Sequence, residues 1–110
     1  MQRMSEFTKK QRLHLRKLAG DAYERELGSA LGELYDGFEK WKGGDLYASE
    51  LSERIHEFHQ GIAQELYSRY NPLDEDQLVA RAVAIGLIEE DQVEAAILKK
   101  LDKTIEFFRS

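Results

Sequence analysis

One apolar stripe constrains this chain more than any other feature in it. Leu15, Ala19, Tyr23, Leu27, Leu31, Leu34, Phe38 and Trp41 succeed one another at steps of three or four. That is the repeat of residues sharing a face of an α-helix. Leu18, Ala22, Ala30 and Tyr35 widen the stripe. Thr8 and Gln11 stand ahead of it at capping-box spacing, the hydroxyl placed for an orphan N–H and the amide placed to reach back. Gly43-Gly44 ends it, since glycine takes up left-handed conformations at little cost. An unbroken helix over 9–41 would be about 50 Å long. A compact globule of this length is roughly 35 Å across, by the usual scaling of its radius of gyration. The helix must therefore bend, with Gly20 and Gly28 the natural places, or be covered by a partner.

The rest of the chain also reads as helical. A second helix is expected over about 49–70, capped by Asp45 or Ser49 and burying Leu51, Ile55, Phe58, Ile62 and Leu66. Asn71-Pro72 stops it, because proline drives its predecessor out of the α region. A short helix over about 75–85, capped by Asp74, is apolar nearly all round through Leu78, Val79, Ala82, Val83 and Ile85, so it should be the most buried element. Gly86 falls at its left-handed C′ position. A fourth helix over about 89–108 opens on Glu89-Glu90-Asp91 and buries Val93, Ile97, Leu101, Ile105 and Phe108, with its acids on the positive end of the dipole. No stretch alternates with the period of a strand. The expectation is an all-α, four-helix bundle-like single domain over 1–110, with 1–7 as a flexible tail.

The bulk composition excludes several classes. There is no cysteine, so no disulfide, thiolate metal site or cysteine nucleophile can form. The basic, polar start lacks the apolar core of a signal peptide, and no apolar run approaches the ~20 residues of a membrane span. A cytoplasmic protein without membrane association is expected. The serines (Ser5, Ser29, Ser49, Ser52, Ser68, Ser110) lie in no nucleophile-elbow motif. No glycine-rich loop is followed by Lys-Ser/Thr. A catalytic role is not expected, nor is a cofactor.

Charge is unevenly spread. Residues 1–18 hold Arg3, Lys9, Lys10, Arg12, Arg16 and Lys17 against Glu6, a local +5 within a chain of net −5. Lys9, Lys10, Arg12, Arg16 and Lys17 could each neutralise a phosphate, but beyond Phe7 no aromatic is interleaved for base stacking. Residues 77–93, with Gln77, Ala82, Gly86 and Val93, superficially suit a helix-turn-helix. The second helix would then present Glu89-Glu90-Asp91 to phosphate, where a recognition helix needs the opposite charge; this is an αα-hairpin instead. Nucleic acid is not the expected partner. The asymmetry fits an accessory nucleic-acid-binding arm as the alternative, or equally self-association with a basic end docking on an acidic body; the plainer reading is a solvated first turn or a salt-bridging arm.

One cluster suggests chemistry. Glu53, His56 and His59 lie at successive steps of three on helix two, and two imidazoles on neighbouring turns could meet one cation. Glu-x-x-His also occurs in di-iron carboxylate bundles, which need two such motifs and two further glutamates. Only one is present, so a second copy would have to supply the other, with Glu33, Asp36 or Glu39 as extra carboxylates. The plainer reading keeps His59 as a boundary residue beside Ile55, Ile62 and Leu66, and His56 at the margin of the exposed face. Gly28 and Gly32 form a small-residue notch where a second helix could approach closely. Tyr35, Phe38, Trp41 and Tyr47 gather near the first helix junction, as core first and as interface anchors second. Together these features point to a non-catalytic helical interaction protein, homodimeric through its first two helices and binding itself or another protein.

Overall fold

The computed structural model describes residues 7–70 and 74–110. The protein is all-α, with no strand among the described residues. Five α-helices follow in order: α1 (Lys9–Lys42), α2 (Ala48–Phe58), α3 (Gln64–Tyr70), α4 (Glu75–Ala84) and α5 (Ala95–Arg109). A π-helical turn, His59–Ala63, joins α2 to α3, and a 3₁₀ turn, Glu90–Gln92, precedes α5. The described residues divide into two compact units, one built from residues 7–22 and 74–110 and the other from 23–70. Helix α1 contributes to both and runs through Gly20 and Gly28 without interruption.

The stripe on α1 accounts for this division. Each step of four residues advances about 40° around a helix of 3.6 residues per turn. The run Leu15, Ala19, Tyr23, Leu27, Leu31 takes four such steps, so the apolar face winds about 160° around the axis. A single neighbour cannot cover it. Leu15, Leu18, Ala19 and Ala22 are buried within the first unit, whereas Tyr23 onward belongs to the second.

In the first unit the start of α1 is fixed as its sequence predicts. The Thr8 hydroxyl accepts from the Gln11 N–H at 3.0 Å, and the Thr8 N–H donates to Gln11 Oε1 at 2.9 Å. Phe7, expected in a flexible tail, is instead buried, with the Arg12 guanidinium 5.4 Å and the Lys100 ammonium 5.2 Å from its ring centre. A large aromatic held by two cations leaves the solvent readily; residues 1–6 of the expected tail lie outside the described residues. Helix α4 buries Leu78, Val79, Ala82 and Val83 as its composition requires, leaves Ile85 about half exposed at its C-cap, and is followed by Gly86 at φ +83°. The Leu87 N–H reaches the Ala82 carbonyl at 2.8 Å and the Gly86 N–H that of Val83 at 3.2 Å, the paired bonds of a Schellman cap. Leu15, Val79, Ile88 and Ile97 are the largest wholly buried side chains of this unit. The expected helix over 89–108 is divided: Glu89–Gln92 form their own capped turn, Val93 is extended at φ −107°, and α5 begins only at Ala95. Extending the backbone there lets Val93 enter the core.

The second unit is a helical hairpin. The same cap closes α1, with the Asp45 N–H on the Lys40 carbonyl at 2.8 Å, the Gly44 N–H on that of Trp41 at 3.1 Å, and Gly44 at φ +87°. Neither Asp45 nor Ser49 caps α2. Its N-cap is Tyr47, whose N–H donates to Glu50 Oε1 at 3.2 Å. The antiparallel arms meet near the turn, where Gly37 faces Leu51 and Arg54, and at the open end, where Glu26 receives both the Tyr70 hydroxyl at 2.6 Å and Arg69 at 3.2 Å. The Tyr23 and Tyr70 rings meet at 5.1 Å between centres, tilted 53° to each other.

Candidate interaction surface

The hairpin has little core of its own. Leu51, Leu66 and Tyr70 are its buried apolar side chains among the described residues. Of the five positions expected to be buried on the second arm, Leu51 and Leu66 are, Phe58 is half-buried, and Ile55 and Ile62 are about 40 % exposed. Two causes combine. One facing helix covers only part of a helical surface, and the π-turn spaces its hydrogen bonds five residues apart, so the apolar rows before and after it lose register. Gly61 sits inside that turn, where its poor α propensity makes the departure from α geometry less costly.

The aromatics near the first junction are correspondingly uncovered. Tyr35 is 62 % exposed and Tyr47 78 %, with Phe38 and Trp41 also on the surface. The core reading of these four residues is overturned. Leu27, Leu31 and Phe38 share one face of α1 by their spacing of four and seven, with Tyr35 one turn beyond Leu31. A groove of about 490 Å³ runs beside them, walled by Tyr23, Leu27 and Leu31 from α1 and by Phe58, His59, Ala63, Gln64 and Tyr67 from the second arm. Tyr35 donates its hydroxyl to Glu39 one turn on; that hydrogen bond first, then the glutamate's charge, raises the phenol above its usual range.

The Glu53/His56/His59 cluster does not converge. His59 lines the apolar groove, whereas Glu53 lies in another with Ser49, Glu50, Arg54 and Glu57. Among the described residues no three His, Asp or Glu side chains are grouped to hold a metal ion. Steps of three bring residues together only pairwise: Glu53 and His59 are six apart and so point about 120° away from each other around α2. Gly28 and Gly32 face open space, and the hairpin's actual notch is Gly37, where an added Cβ would lie 3.4 Å from Leu51 Cδ1. Nothing in the sequence separates Gly37 from the other glycines of α1 except its place opposite Leu51.

The basic segment is divided in use. Arg12 pairs with Asp76 at 2.9 Å and Glu75 at 3.5 Å, tying α1 to α4, and Glu75 is buried. Lys9, Lys10, Arg16 and Lys17 stay exposed, Lys17 making a solvent-facing pair with Asp21 at 3.5 Å. No helix among the described residues is long and apolar enough to cross a membrane. No protein-family model matches this chain, and no curated protein or solved structure does either.

Proposed function

We propose that this protein is a non-catalytic helical interaction module, that it associates with itself through the hairpin of its first two helical arms, and that the binding surface is the apolar face carrying Leu31, Tyr35, Phe38 and Tyr67. One observation carries the reading. Of the large apolar side chains that are exposed among the described residues, eight lie on the hairpin and three elsewhere. Leu31 and Tyr67 share one groove while Ile62 lines another, and exposed apolar surface with so little core beneath it is costly in water and marks a binding surface. A groove between two helices is the shape that accepts a third amphipathic helix, laid in by residues at steps of three and four. Exposed tyrosines beside it supply rigid, amphipathic contact area. An intracellular, cytoplasmic setting accords with the absence of cysteine.

Sedimentation or light scattering across micromolar concentrations tests this. Association is expected for the native chain and should be lost in the double variant Leu31→Ser/Phe38→Ser, with helicity unchanged by circular dichroism. A native chain that stays monomeric throughout would sink the self-association.

A further inference from the structure

The hairpin's charge decides what it can receive. Residues 23–72 hold five Lys/Arg (Arg25, Lys40, Lys42, Arg54, Arg69) against ten Asp/Glu, so this unit carries the whole net charge of −5. Two identical hairpins placed face to face would set −5 against −5, and like charges across an interface are strongly unfavourable. The face therefore suits a basic occupant. It also needs one whose helix is already formed and has a free side.

The chain itself presents such a segment. On the first half of α1 one side is buried through Leu15, Leu18, Ala19 and Ala22. The other carries Lys9, Lys10, Leu13, Arg16, Lys17 and Gly20, all exposed. Lys9, Leu13, Arg16, Lys17 and Gly20 follow at steps of three and four, so they form one face. Leu13, 59 % exposed, supplies an apolar anchor, and lysine and arginine stems add apolar cover while their heads stay in water. Nothing lies within 4 Å of where a Cβ on Gly20 would sit, so another helix can approach closely there.

We infer that the hairpin face of one copy receives the basic outer side of α1, residues 9–20, from a second copy. The inference rests on the reading that the hairpin face binds a helix, and it names the helix. Glu24 shares the face of Leu31, seven residues away, and Glu39 is held beside Tyr35. These two carboxylates flank the apolar row and are placed to meet Lys9, Arg16 and Lys17 of the second copy. The contact is heterologous, an acidic patch against a different, basic one, rather than a patch against itself.

A charge swap tests it. Lys9→Glu/Arg16→Glu and Glu24→Lys/Glu39→Lys are each expected to weaken association about tenfold or more. An equimolar mixture of the two should recover it, because each basic segment then finds an acidic hairpin and the reverse. Native association should also weaken steeply between low salt and ~1 M, where the screening length falls to about 3 Å. If Leu31→Ser/Phe38→Ser abolishes association but Lys9→Glu/Arg16→Glu leaves it intact, the hairpin binds something other than this segment, and the inference is overturned while the function reading stands. If Leu31→Ser/Phe38→Ser has no effect either, both fall. Circular dichroism on each variant separates lost association from lost folding.

Discussion

The two units of this protein contain similar lengths of helix and differ in what they do with apolar side chains. Among the described residues the unit built on 7–22 and 74–110 buries fifteen apolar residues and leaves three large ones exposed. The hairpin buries three and exposes eight. Their content of leucine, isoleucine and phenylalanine does not separate them, because both contain these residues, although all five tyrosines lie on the hairpin. Connectivity does. The first unit surrounds α4 with neighbours, so an element apolar on every side finds cover. The hairpin has two arms and a single seam, and a helix packed against one neighbour keeps most of its circumference in water. One unit is therefore a core, and the other is a core lacking its remaining layer.

The largest expected effect tests that contrast directly. Ile97→Ala or Leu15→Ala removes a wholly buried side chain and should cost about 2–5 kcal/mol, the transfer loss plus the cavity left behind. Leu31→Ala, on an exposed position, should cost about 0.5 kcal/mol or less in dilute monomer while still weakening association. Urea denaturation at low and high protein concentration separates the two effects. Equal losses at Leu31 and Ile97 in dilute solution would show that the hairpin face is covered within the chain, and the comparison would collapse.

Most of the architecture was legible because helix boundaries are local. Thr8 with Gln11, Gly44 and Gly86 each act within a single turn, and each does in the fold what its residue type requires. Burial was legible wherever a neighbour exists to cover the face: Leu15, Leu18, Ala19 and Ala22 on α1, Leu78, Val79, Ala82 and Val83 on α4, and Ile97, Leu101 and Ile105 on α5 are buried as their spacing predicts. Tyr35, Phe38 and Trp41 read as core because their spacing shows a helical face; spacing cannot say whether a neighbour exists to cover it. The winding of the α1 stripe was present in the run of four-residue steps, and it is the clue that one face had to serve two neighbours. The π-turn at His59–Ala63 had no comparable signal beyond Gly61.

A smaller effect is expected where the first unit buries charge. Arg12 holds Asp76 at 2.9 Å and Glu75 at 3.5 Å, and the Glu75 side chain is only 9 % exposed. Arg12→Met keeps most of the stem but leaves a nearly buried carboxylate unpaired, at a cost of about 2 kcal/mol. Adding Glu75→Gln should return part of that loss, since a neutral amide is less costly to bury than an uncompensated charge. A double-mutant cycle by denaturant melting measures it; strictly additive losses would mean that Arg12 and Glu75 do not interact. The hairpin offers no counterpart, as its salt-bridged Glu26 and Arg69 join two arms at their open end rather than an element enclosed on all sides.

Glycine substitutions sharpen the comparison from the hairpin side. Gly28 and Gly32 face open space, so alanine at either position should stabilise the free chain by up to about 1 kcal/mol through helix propensity alone. Both lie close to the Tyr35 side of α1, and a docked helix would meet the added methyl groups. Gly28→Ala/Gly32→Ala is thus expected to raise the thermal midpoint while weakening association, two opposite movements in one variant. A raised midpoint with unchanged association would place the contact away from this side of the helix.

The smallest effect is spectroscopic and belongs to Tyr35. Its phenol is raised above the ordinary 10.0, chiefly by donating to Glu39 and secondarily by that carboxylate's charge. Glu39→Gln should bring the ionisation down toward the ordinary value, seen as the phenolate absorbance that Tyr35→Phe removes. The sign for stability follows from linkage. Between the ordinary and the raised value the unfolded chain has released this proton and the folded chain has kept it, so stability falls as pH rises through that window. Tyr35 sits on the exposed face, so the screened effect on folding is slight, but its titration reports on occupancy. A basic helix laid beside Glu39 would draw that carboxylate into its own ion pair and weaken its hold on the phenol. Ionisation should then shift downward as protein concentration rises at low salt, and return upward when salt dissociates the complex.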